Sequence, residues 1–355
     1  AMRDRVAAMT VPSHQSTRRR AATMQDVADM LHVSKQTVSA VINNKPGITA
    51  ETRTRVLDAI AQINYRMDLR ARSLRTGRSY TMALVITDVA SPMFSKMAIA
   101  AEERLYAEHY SLVLYNTHDD LERERFCIDS ILQRSVDGVM FVSASDESTS
   151  LEMLEAAGIP SVVIDRVPKS YVGAAVVLDN HAAGRIAAAH LTDLGHKQLA
   201  YIGGPANVHI ARERLDGFRA GAATAGVMLA DQAIHHAENW HVNSGYGAML
   251  ALLKRKHDFS AVFCAGDLLA IGAMHALAEQ GVNIPADISV MGLDDIDLAA
   301  YFTPPLTTIS QSITSMATLG VELLLDELAG RPRASNRIVI EPTLVARAST
   351  APPRT

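Results

Sequence analysis

Two cysteines, one tryptophan and 5% aromatic residues are all that this chain of 355 residues carries of those types. Cys127 and Cys264 sit in apolar runs, R-F-C-I-D and V-F-C-A-G, with no C-x-x-C. They read as small buried hydrophobes, which excludes a disulfide scaffold. No stretch is long and apolar enough to span a membrane. No apolar run follows the arginines near the N-terminus, so a secretory signal is not expected and the expected compartment is the cytoplasm. The thirteen histidines, His235, His236 and His241 among them, match no zinc spacing and read as surface residues. Gly203-Gly204-Pro205 lacks the G-x-G-x-x-G pattern of dinucleotide loops and the G-K-[ST] of phosphate loops. There is no G-x-S-x-G elbow and no nucleophile–base pair. An enzyme, a metal and a cofactor are therefore not expected. The last residues, A-S-T-A-P-P-R-T, hold no leucine heptad, so no coiled-coil tail is expected.

The charge is unevenly spread. Residues 1–79 hold 14 Lys and Arg against 6 Asp and Glu, or +8, and the remainder holds 20 against 32, or −12, giving the net −4. A basic head on an acidic body is the footprint of a nucleic-acid-binding module joined to something else.

Within that head, T-M-Q-D-V-A-D-M-L-H-V-S-K-Q-T-V-S-A-V-I-N (23–43) reads as two short helices and a tight turn. Thr23 can cap the first helix with Asp26 three positions on. Val27, Ala28 and Leu31 share one face. Ser34 can cap the second helix, whose apolar side is Val38, Val41 and Ile42. Its other side shows Lys35, Gln36, Thr37, Ser39, Ala40 and Asn43: a cation, amides, hydroxyls and a methyl, suited to reading base edges in a major groove. Any two short amphipathic helices fit the same pattern, so the rest of the chain must decide. After N-N-K-P-G, Thr49 can cap a third helix with Val56, Ile60 and Ile63 on its inner side.

D-V-A at 26–28, V-S-K-Q-T-V-S at 33–39, N-Y at 64–65 and A-R-S-L-R-T-G-R-S at 71–79 resemble the LacI/GalR family of bacterial repressors, and the resemblance continues through nearly the whole chain. It implies a helix-turn-helix head at 23–67 behind a basic tail at 1–22. It implies a hinge at 68–79 that pairs with its dimer mate and pushes Leu74 into the minor groove. The expected DNA contacts are Thr23, Ser34, Lys35, Gln36, Thr37, Ser39, Asn43, Ala71, Arg72 and Leu74. Three departures bear on this. Ala40 stands where the family usually has a base-reading arginine. Met67 replaces the proline before the hinge. His32 replaces a turn glycine, which calls for a left-handed backbone.

From Tyr80 the texture becomes alternating apolar strands and helices, twice over, with a break near Val177–Asp179. That is the pattern of parallel sheets covered on both faces. The expected fold is an all-α head plus an α/β domain of two doubly wound lobes, like the periplasmic binding proteins, spanning 80–347. Lobe 1 takes about 80–178 and 310–337, lobe 2 about 179–309 and 338–347, and 348–355 is a tail.

Ligands of such sheets sit at the carboxyl ends of the strands. The polar and aromatic residues there are Asp88, Ser91, Phe94, Arg166, Arg214, Trp240, Asp267 and Asp294, most of them at positions that contact ligand in the family. Each has a plainer reading: Asp165 and Asp267 as caps or interface pairs, Phe94 as core, Asp294-Asp295 as a turn. The expectation is a dimeric repressor on a pseudo-palindromic double-stranded operator, controlled by a sugar or sugar derivative. A nucleobase-responsive regulator and a sugar-binding transport protein are the alternatives.

Overall fold

In a computed structural model, residues 22–65, 77–255, 258–332 and 335–354 are described. They fall into two compact units divided between Gly77 and Arg78.

The first unit is three helices, α1 (Met24–Leu31), α2 (Lys35–Ile42) and α3 (Ala50–Gln62). The capping box forms as the spacing predicts: Thr23 Oγ1 accepts from Asp26 N, and Asp26 Oδ2 accepts from Thr23 N at 2.6 Å. Ser34 Oγ and Thr49 Oγ1 cap α2 and α3 by accepting from Thr37 N and Thr52 N. His32 ends α1 at φ 54°, the left-handed conformation that its place in the turn demands. Val27, Ala28, Val38, Val41, Val56 and Ala59 meet in one small buried core. Arg53 of α3 holds the turn beyond α2, donating to Asn44 Oδ1 at 2.7 Å and to Lys45 O at 3.1 Å. The calls on Ala71, Arg72 and Leu74 lie outside the described residues.

The second unit is two α/β lobes. Sheet one has the order β11-β5-β4-β3-β1-β2, all parallel: β1 (Thr81–Ile86), β2 (Ser111–Asn116), β3 (Gly138–Phe141), β4 (Ser161–Ile164), β5 (Ala174–Leu178) and β11 (Arg337–Ile340). Its helices are α4 (Pro92–Tyr106), α5 (Leu121–Gln133), α6 (Ser150–Ala156) and α11 (Ile313–Leu328). Sheet two runs β12-β10-β9-β8-β6-β7: β6 (Leu199–Gly203), β7 (Ile234–His236), β8 (Ala261–Cys264), β9 (Ser289–Asp294), β10 (Thr307–Ser310) and β12 (Thr343–Val345), the last antiparallel. Its helices are α7 (Asn180–Asp193), α8 (His209–Thr224), α9 (Val242–Lys254) and α10 (Asp267–Glu279). The inner strands β1, β3–β6 and β8–β10 are buried on both faces, which is why they read as continuous apolar runs, while the edge strands β2, β7, β11 and β12 are partly exposed.

Two boundaries differ from the sequence expectation. Residues 338–340 belong to lobe 1, because β11 pairs with β5 through Ile340↔Leu178. Residues 348–354 are built into lobe 2. Ser349 is fully buried and joins Val290 O and Thr307 N, and His196, also buried, lies 2.9 Å from Ala351 O. Small side chains there let this irregular segment hydrogen-bond to β9 and β10, which a reading for periodicity misses. At the other end, Asp137 clamps the chain as it enters lobe 1, accepting from Ser79 N at 2.7 Å and Tyr80 N at 2.9 Å. Among the described residues, no helix is long and apolar enough to cross a membrane.

Candidate functional site

The carboxyl ends of both sheets face a cavity between the lobes. Lobe 1 lines it with Thr87, Asp88, Ser91, Met93, Phe94, Asp119, Asp165 and Arg166, and lobe 2 with Ile210, Arg214, Trp240, His241, Gly266, Leu268 and Asp294. Seven of the eight residues expected from the sequence are brought together here: Asp88, Ser91, Phe94, Arg166, Arg214, Trp240 and Asp294. Phe94 does double duty, since it is also buried in the lobe core.

Asp267 is the correction. It is fully buried, and its carboxylate turns away from the cavity to accept from Thr308 Oγ1 at 2.6 Å and Ile296 N at 3.0 Å. It fastens β10 and the loop after β9 to α10, all within lobe 2, so it is a pair inside one lobe rather than between the lobes.

Trp240 forms the one indole surface. Gly204 supports it: a Cβ there would stand 2.4 Å from the ring, so the loop after β6 requires glycine at that point. The guanidinium carbons of Arg166 and Arg214 lie 5.8 and 5.4 Å from the ring centroid, one from each lobe. Arg166 is paired with Asp119 at 2.6 Å. Arg214, nearly buried, donates Nε to Asn180 Oδ1 and a terminal nitrogen to Ala265 O, both at 2.7 Å. Asp294 accepts from Gln311 Nε2. Burial and the carboxylate of Asp267 push the Asp294 carboxyl up to about 8.

Three cavity carboxylates sit on backbone that L-residues rarely adopt: Asp119 at φ 55°, Asp165 at 66° and Asp294 at 133°. Strain of this kind concentrates where side chains must be aimed. Among the described residues several buried polar atoms around the cavity have no hydrogen-bond partner: Asp165 Oδ1, Arg166 Nε (which lies 4.0 Å from Asp165 Oδ2), Trp240 Nε1 and Thr87 Oγ1. Sequence reading left Thr87, Asp119 and His241 out of the site, and weighed Asp165 at the strand end against a cap or lobe-interface role. Asp119 and His241 follow strand ends in polar loops, the same signal that found Asp88, but nothing in the spacing aims them inward.

In the head, Lys35 and Gln36 are exposed at the start of α2 and have no side-chain partner among the described residues. Thr23, Ser34 and Thr37 serve caps. Asn43 Nδ2 donates to Ser39 O at 2.6 Å and lies 3.3 Å from Ser39 Oγ, so those two residues are engaged with each other.

Residues 23–68 match the family described as bacterial regulatory proteins, lacI family, and residues 188–350 match a periplasmic binding protein-like domain. The HTH-type transcriptional repressor PurR of Mannheimia succiniciproducens is 34% identical over 330 residues, covering 92% of this chain and 98% of that one. The chain belongs to the lacI family of bacterial regulatory proteins. Two solved relatives show the same architecture. The lac repressor dimer bound to operator and the anti-inducer ONPF has 27% identity and a TM-score of 0.84, over 94% of this chain and 100% of that one. A transcriptional regulator CelR–cellobiose complex has 29% identity and a TM-score of 0.71, over 92% and 99%. This lacI-family chain is thus a DNA-binding transcriptional regulator with an effector domain, and not an enzyme.

Proposed function

We propose that the chain is a cytoplasmic repressor that binds a pseudo-palindromic operator as a homodimer, and that a sugar or sugar derivative held between the lobes sets its operator affinity. The carrying observation is the set of buried cavity atoms without a hydrogen-bond partner among the described residues. Trp240 Nε1 and Arg166 Nε require acceptors, while Asp165 Oδ1 requires a donor. A hydroxyl is both, and a ring bearing several hydroxyls can also cover the indole face. The CelR relative is described with cellobiose. A nucleobase is the second reading, favoured by the PurR relatives.

Lys35 and Gln36 supply base contacts, Ala71 and Arg72 of the segment 68–79 add DNA contacts, and Leu74 enters the minor groove. The dimer face is apolar. Ile99 of α4 and Leu298 in the short turn after β9 are exposed on one groove, joined by the ion pair Lys96–Asp297 at 2.6 Å. A face made of both lobes is suited to passing lobe rotation to the heads, with a coupling of about 1–3 kcal/mol. A thermal-shift screen of neutral sugars, sugar acids and nucleobases, followed by gel shifts on DNA upstream of its own gene, tests the reading. Stabilisation by a sugar that also changes the gel shift supports it. Stabilisation by nucleobases alone selects the second reading.

A further inference from the structure

Helix α8 begins without a cap of its own. Its N-cap position is Val208, whose side chain cannot accept a hydrogen bond, and no side chain of the preceding loop replaces it. The acceptor comes from the other lobe. Asp146, in the loop after β3 of lobe 1, takes the backbone N–H of His209 at 3.3 Å and lies 2.6 Å from its Nδ1 through Oδ1, and takes Arg212 at 3.0 Å through Oδ2. Asp146 is only 7% exposed. Burial raises its pKa, but the bonds from His209 and Arg212 outweigh that and leave the carboxyl below its ordinary value.

The loop that carries Asp146 is itself fixed to lobe 1. The buried carboxylate of Glu124 accepts from Ala144 N at 2.7 Å, from Ser150 Oγ at 2.6 Å and from Ser148 Oγ. The same first turns of α8 carry Ile210 and Arg214 into the cavity. A rigid arm of one lobe therefore terminates the first turn of the helix that presents the other lobe's cavity residues.

We propose that Asp146, His209 and Arg212 form an interlobe clasp that holds the effector domain closed without ligand, so that opening the cleft uncaps α8. The clasp goes beyond the effector reading and does not depend on which ligand binds. It differs from the Lys96–Asp297 bridge, where Asp297 is 80% exposed at its side chain and the pair is open to solvent screening. A helix cap and a partly buried ion pair are lost together on opening, so their removal shifts the closed-to-open ratio about five- to tenfold toward open.

Trp240, the one tryptophan, reads this out, because opening withdraws Arg166 of lobe 1 from the indole of lobe 2. Acrylamide quenching of the full-length, ligand-free chain is compared among variants. Asp146→Ala is expected to raise the quenching constant clearly. Asp146→Asn, which keeps a cap acceptor but loses the charge, is expected to fall between Asp146→Ala and the parent. Glu147→Gln, which removes the neighbouring charge of an exposed pair with Lys169 inside lobe 1, is expected to match the parent. If Asp146→Ala does not fold, Asp146→Asn and Arg212→Ala carry the test. Parent-like quenching in every clasp variant overturns the proposal, and so does equal opening in Glu147→Gln.

Discussion

Arg214 holds its guanidinium 5.4 Å from the ring of Trp240 while donating to Asn180 Oδ1 and Ala265 O. The arginine is therefore structural as well as ligand-facing. Arg214→Ala strands two buried acceptors, each at about 1–3 kcal/mol. A clear fall in melting temperature is expected, together with loss of any effector-induced change in Trp240 emission. Arg214→Lys restores a cation but not the fork, and is expected to regain part of the stability and little of the response. Calorimetry alongside fluorescence separates the two effects. An Arg214→Ala protein as stable as the parent would show that the Asn180 and Ala265 bonds hold nothing.

Gln36 is expected to act on base edges. It leads α2, is exposed, and is committed to no cap or turn, unlike Thr23, Ser34 and Asn43. Gln36→Ala should cost about 1–3 kcal/mol on the specific operator and little on random DNA. Fluorescence anisotropy with both DNAs measures the difference. Equal losses on the two would assign Gln36 to the backbone alone.

Ile99 is 61% exposed on α4 and Leu298 is 51% exposed across the Lys96–Asp297 bridge. A second copy covering this face would bury both. Ile99→Arg places an unpaired charge there, and sedimentation at micromolar concentration should move from dimer toward monomer. Operator affinity should fall with it, because one head makes too few contacts alone. A variant that stays dimeric would move the interface elsewhere.

Local chemistry was legible in the sequence wherever one residue decides one bond. Thr23 with Asp26, Ser34 and Thr49 cap their helices as spacing alone predicts, and His32 turns left-handed as the family's turn glycine at that place implied. The apolar strands revealed the two sheets for the same reason, since a strand covered on both faces admits few polar residues. What spacing cannot give is the direction in which a side chain leaves a strand end. Asp267 and Asp294 both follow short apolar strands and look alike. Yet Asp267 opens α10 and points into the lobe toward Thr308, while Asp294 ends β9 and points into the cleft. Asp146 was invisible for another reason: its partners are 63 and 66 residues away in the other lobe, beyond any local pattern.

The pair formed by Asp267 and Asp294 sets the last expectation. Burial raises the Asp267 carboxyl to about 6, and burial with the Asp267 charge raises Asp294 to about 8. An aspartate in the unfolded chain titrates at about 3.9. Between about pH 4 and about pH 8 the folded chain thus holds more protons than the unfolded one, and linkage makes this contribution to stability fall as pH rises across that window. Asp294→Asn keeps an acceptor for Gln311 and removes both the raised group and its repulsion of Asp267. Its melting temperature should drop less than the parent's between about pH 5.5 and about pH 8.5, and should exceed the parent's at the upper end. Calorimetry at the two pH values checks this. Equal slopes in parent and variant would mean that the Asp294 carboxyl ionises freely in the cleft, and that a neutral acid does not stand ready to donate to a ligand there.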